Sequence, residues 1–86
     1  MNNENIDKLI ESINTNKFSY RSPLHCIGAH VATLRGSHAF SDPLGQISAY
    51  IGCTRKQADD LYWANGQNIP TATAEDAVEA LEALRD

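Results

Sequence analysis

Gln46-Ile-Ser-Ala-Tyr-Ile-Gly52-Cys-Thr54-Arg-Lys-Gln57-Ala58-Asp-Asp-Leu61 is the stretch that decides the fold. Ile47 and Ile51 lie one helical turn apart, and Gly52 follows as a residue suited to close a helix in the left-handed conformation. Thr54 then opens a second helix. Its hydroxyl suits the free N–H groups of a helix start, and Gln57 three residues on completes a capping box. Ala58 and Leu61 share the inward face of that helix. Two helices joined by a tight turn, with no strand-like alternation on either side, predict an all-α chain.

The same grammar extends outward. Asp42 and Pro43 begin the first of these helices, Asp as cap and Pro where a missing N–H costs nothing, and Leu44 joins its inward face. Ser22-Pro23 repeats that start, and Leu24, Ile27, Val31 and Leu34 recur at helical steps up to Gly36. Gly28, Ala29 and Ala32 lie among them and permit close approach, which marks this helix as the central one. A first helix is predicted over about Glu4–Asn14, with Ile6, Leu9, Ile10 and Ile13 as its stripe. Beyond Leu61 the fourth helix is expected to end at Asn65-Gly66. After the turn Gln67–Pro70, Thr73 with Asp76 starts a fifth, which turns Ala77, Val78, Leu81 and Leu84 inward and ends near Arg85. The expectation is one domain over residues 1–86, a compact bundle of about five short helices.

At 86 residues and 42% apolar content, the chain has enough for one small core. No apolar run approaches the roughly 18 residues of a membrane span, and the acidic start lacks the form of a signal peptide. The expected location is cytoplasmic. Cys26 and Cys53 are too few for a disulfide framework and read as buried, reduced thiols. The net charge of -4 conceals a segregation. Glu4, Asp7 and Glu11 sit at the start, and Lys17, Arg21, Arg35, Arg55 and Lys56 in the middle. Asp59, Asp60, Glu75, Asp76, Glu79, Glu82 and Asp86 follow.

Several patterns bear on chemistry. In a helix-turn-helix unit the start of the second helix enters the major groove, and here it would offer Thr54, Arg55, Lys56 and Gln57. Asp59 and Asp60 one turn on, and the small surplus of basic charge, oppose phosphate binding. A DNA-binding regulator is therefore the alternative reading. Cys26 and His30 are spaced for one helical face, but zinc needs three or four convergent ligands. No metal and no cofactor is expected. Cysteine and histidine stand without an acid or oxyanion signature, and Asp59 and Asp60 diverge by about 100° around a helix. The five glycines are isolated, so no phosphate-binding loop is present. Catalysis is not expected. Tyr62-Trp63 leaves two placements open: an exposed anchor beside two acids, or a Trp63 packed under the Gly66–Pro70 turn, the commoner arrangement in a small core.

Cys26-Ile27-Gly28-Ala29-His30, Ile51-Gly52, Gln57-Ala58-Asp59-Asp60-Leu61-Tyr62, Ile69-Pro70-Thr71 and Ala74-Glu75-Asp76-Ala77 together form a recurring order. Over residues 23–85 the chain resembles small helical bacterial and phage proteins that carry this order. The first helix lies outside the likeness, and Cys53 replaces the aliphatic residue usual there. The resemblance implies a shared helical fold and carries no established activity with it, and it weighs against an ordinary helix-turn-helix regulator.

These readings converge on a small non-enzymatic protein-binding module of phage or mobile-element type. It would occupy a surface on a larger host protein or complex. Its particular form would be an inhibitor of a defence nuclease complex such as a CRISPR effector. The expected contact residues are Asp59, Asp60, Tyr62, Trp63, Glu75, Glu79 and Glu82, whose acids would imitate nucleic-acid phosphate. Either a monomer or a homodimer fits so small a core.

Overall fold

A computed structural model describes residues 1–22, 24–37, 42–64 and 71–85. They form five helices: α1 (Asn3–Thr15), α2 (Ile27–Arg35), α3 (Pro43–Ile51), α4 (Arg55–Tyr62) and α5 (Ala74–Leu84). No strand occurs among them, and the chain is an all-α bundle. No helix among the described residues is long and apolar enough to cross a membrane.

Helix starts follow the caps in the sequence. The Asn2 side chain accepts from the Asn5 N–H, and that of Asp42 from the Gly45 N–H. Thr54 with Gln57 and Thr73 with Asp76 each form a complete capping box. Asp42 holds a left-handed backbone at φ 45°, which its short polar side chain tolerates better than most. Gly36 and Gly52 close α2 and α3 at φ 70° and 72°.

Two boundaries differ from expectation. The second helix starts at Ile27 rather than at Pro23, a position outside the described residues. Ser22 does not cap it. Its hydroxyl takes the Leu24 N–H and meets His25 Nδ1, while its carbonyl accepts from the His25 N–H, closing a separate turn. Cys26 then extends at ψ 176° and the helix begins. Leu24 is consequently 69% exposed instead of inward, and Leu34 is partly exposed in the last turn. The fourth helix stops at Tyr62, before the expected Asn65-Gly66, which lie outside the described residues. Ala64 takes the left-handed conformation at φ 57°, and its methyl group is buried.

Ile6, Leu9, Ile27, Val31, Ile47, Ile51, Leu61 and Leu81 are the largest fully buried side chains. Each stabilises the fold by about 1.5–3 kcal/mol through burial. α2 is the central helix. It packs on α1, α3 and α4, and its residues Ile27–Ala32 are all buried. At Gly28 the approach is close enough that a Cβ would stand 3.1 Å from Pro43 Cβ and 3.4 Å from the Tyr62 ring.

The chain start closes the bundle. The Asn2 N–H donates to the Ile51 carbonyl and Asn5 Nδ2 to the Tyr50 carbonyl, so α1 satisfies two groups at the end of α3. α5, from the other end of the sequence, lies against α1 and α4.

Candidate functional site

The α3–α4 unit has the expected helix–turn–helix form, and its polar side chains are engaged within the unit. Gln57 Oε1 accepts from the Thr54 N–H at 2.9 Å, and Thr54 Oγ1 from the Gln57 N–H at 3.1 Å. Arg55 Nη2 pairs with Asp42 at 2.9 Å, and Lys56 Nζ with Asp60 at 3.6 Å, one turn along the helix. The Arg55 guanidinium holds the Asp42 carboxyl below its usual range, helped by the Gly45 N–H. All four residues assigned to the DNA-binding alternative therefore have partners inside the molecule.

The expected protein-binding residues fall into two sets. Asp59, Asp60, Tyr62 and Trp63 belong to the end of α4. Trp63 is 52% exposed, while the Gly66–Pro70 turn of the packed placement lies outside the described residues. The exposure follows from helical rotation: Ala58 and Leu61 point into the core, and the ring two residues beyond Leu61 points out. Its edge meets Tyr62 at a centroid distance of 5.1 Å. Tyr62 is half-buried against Gly28. Glu75, Glu79 and Glu82 line the exposed side of α5.

A third set belongs with these glutamates and was not singled out from the sequence. Glu4, Asp7 and Glu11 are exposed along α1, opposite its buried stripe of Ile6, Leu9 and Ile13. Arg85 Nη2 joins the two helices, 2.6 Å from Asp7 and 2.7 Å from Glu82. Hydrogen bonds to both carboxylates push the Arg85 pKa up. Residues 3–15 and 74–85 hold seven acids against Lys8 and Arg85, and the remainder holds four acids against five bases. The negative excess of the whole molecule thus lies on the α1–α5 pair. The i, i+3, i+7 spacing of Glu4, Asp7 and Glu11 was visible in the sequence. Their pairing with α5 required the fold.

Cys26 and His30 do not act together. Cys26 is the buried cap residue of α2, and His30 uses both ring nitrogens within the protein. Nε2 lies 2.9 Å from the Lys17 carbonyl and Nδ1 2.7 Å from Ser12 Oγ. A carbonyl only accepts, so Nε2 carries the proton, and in the neutral ring Nδ1 accepts from Ser12. Burial lowers the His30 pKa, partly opposed by the Lys17 hydrogen bond, with nearby His25 adding to the lowering. Cys53 is buried and free, its pKa raised by desolvation. No group of three His, Cys, Asp or Glu that could hold a metal occurs among the described residues.

Tyr20 is buried beneath Phe18, with ring centroids 5.0 Å apart. Burial, reinforced by the Asp76 carboxylate, pushes its pKa up to about 12. Its hydroxyl has no hydrogen-bond partner among the described residues. No protein family, curated protein or solved structure matches this chain.

Proposed function

We propose that this chain is a non-enzymatic protein-binding module whose acidic α1–α5 face docks on a basic, phosphate-binding groove of a larger host protein. One observation carries the reading: the carboxylate rows of α1 and α5 lie on adjoining helices bridged at Arg85, and the negative excess is concentrated there. A groove built to hold nucleic-acid phosphate would attract such a face and be blocked by it. The likeness to small phage proteins favours a target in a host defence complex, with occlusion as the mode of inhibition. Exposed Trp63, on another part of the surface, is suited to a second, apolar contact.

The DNA-binding alternative draws less support. Arg55 and Lys56 are already neutralised by Asp42 and Asp60, so little surplus charge remains for phosphates.

The test is a tagged pull-down from bacterial lysate with and without nuclease treatment, comparing the wild type with a Glu11→Lys/Glu75→Lys/Glu79→Lys variant. A stoichiometric protein partner held by the wild type, and lost from the variant or at high salt, is the expected result. Equal capture by the variant would remove the acidic-face reading. Recovery of nucleic acid that is abolished by Arg55→Ala/Lys56→Ala would transfer the function to α4.

A further inference from the structure

Two cavities adjoin in the groove between α1 and α2. One encloses about 340 Å³ and the other about 270 Å³, and Ser12, Asn16 and Thr33 line both. The first is of the size that takes a small ligand group. Its polarity follows from the His30 network. Because Nε2–H is committed to the Lys17 carbonyl, Ser12 gives its proton to Nδ1 and keeps lone pairs free to accept. The junction of the two cavities therefore presents an acceptor.

Lys17 and His25 line the first cavity, and no carboxylate is among its described lining residues, so it favours an anion. Leu24 and Ala29 give it an apolar wall. Leu24 is the most exposed large aliphatic side chain of the described residues, held out by the Ser22–His25 turn rather than buried in a helix. The second cavity continues past Thr33 to Leu34, which is also exposed. α2 has nine residues, a length of about 13 Å, which matches about four residues of extended chain.

We propose that this groove binds the C-terminal residue of a partner polypeptide. Its carboxylate faces Lys17 and His25, its N–H donates to Ser12 Oγ, and an aliphatic side chain lies on Leu24 and Ala29. The preceding residues run through the adjoining cavity towards Leu34. The last residue of a peptide carries an anion, an N–H donor and a side chain on one carbon atom, and the cavity provides a counterpart for each. The second cavity adjoins the acidic face at Glu11, but the carboxylate site at Lys17 and His25 does not rest on that face.

The experiment is an NMR titration of the ¹⁵N-labelled protein with acetyl-Ala-Ala-Ala-Leu bearing a free carboxylate, and with the same peptide amidated. The expected result is saturable shifts at the Ser12, Ala29 and Thr33 amides, with the amidated peptide binding at least about tenfold more weakly. Lys17→Ala and His25→Ala, both outside the core, should each weaken the acid peptide while leaving the spectrum of the fold intact. Equal binding of acid and amide would overturn the proposal, as would the lack of saturable shifts at millimolar peptide. Free L-leucine binding as tightly as the peptide would overturn it too, since the groove would then select an amino acid.

Discussion

The α3–α4 pair and the α1–α5 pair are both two-helix packings, but they are assembled and charged in opposite ways. α3 and α4 are consecutive, joined through Gly52 and Cys53, and their ions are matched at close range: Arg55 with Asp42, Lys56 with Asp60. α1 and α5 come from the two ends of the sequence and bring like charges together around one guanidinium. The unit that resembles a known binding motif is thus electrostatically quiet. The stronger field belongs to a pairing that no local motif marks.

Breaking the α1–α5 pair at its core should produce the largest effect. Leu81 is fully buried, and Leu81→Ala is expected to cost about 2–5 kcal/mol in chemical denaturation. A loss below about 1 kcal/mol would mean that α5 does not share the core. The other side of the comparison is most sensitive at Gly28. Gly28→Val places branched methyl groups against Pro43 and Tyr62, and the overpacking should cost about 1–3 kcal/mol. A stability equal to wild type would show that α3 and α4 can yield around α2.

The same contrast explains what could be read in advance. Everything in α3–α4 except its end was legible, because Asp42, Pro43, Gly52, Thr54 and Gln57 act on neighbours within four residues. Ser22-Pro23 misled for a physical reason. Ser22 has the hydroxyl of a helix cap, but His25 three residues on supplies a ring nitrogen that closes a separate turn, and a helix start and a Ser turn look alike at that range. The sequence leaves Trp63 open: the size of the core favours burial, whereas rotation away from Ala58 and Leu61 accounts for its 52% exposure. The acidic face and the α1–α2 groove depend on contacts across tens of residues. His30 illustrates this: its partners Ser12 and Lys17 are 18 and 13 positions away, so the sequence could mark the histidine but not its role.

His30 sharpens the comparison through pH, since it lies in the α1–α2 contact away from both charged pairs. An unfolded chain protonates this ring from about pH 6.5 downward, while the buried ring takes its proton only at lower pH. Within that window the unfolded state binds more protons, so stability should fall as pH is lowered. His30→Gln should flatten the dependence measured by thermal melts between about pH 7 and 5.5. The Asp42 carboxyl is shifted in the same direction, but its contribution is lost only as pH falls below about its usual value of 3.8, outside the range of these melts. A wild-type slope that survives in His30→Gln would place the titrating group elsewhere.

The smallest effects should separate the two pairs most directly. Arg55→Ala and Arg85→Ala each remove one ion-paired arginine, the first exposed and the second half-buried, but what remains differs. Without Arg55, Asp42 still caps α3 through the Gly45 N–H at 3.3 Å and stays at the favourable positive end of that helix. Without Arg85, Asp7 and Glu82 are left on adjoining helices with no cation between them, beside further acids on both. Arg55→Ala should therefore leave the melting temperature nearly unchanged, with little dependence on salt. Arg85→Ala should lower it, more at low ionic strength than at high, because salt screens the exposed repulsion within about one Debye length. Equal, salt-independent responses of the two variants would mean that the carboxylates of α1 and α5 do not act as one face, and the proposed docking surface would lose its basis.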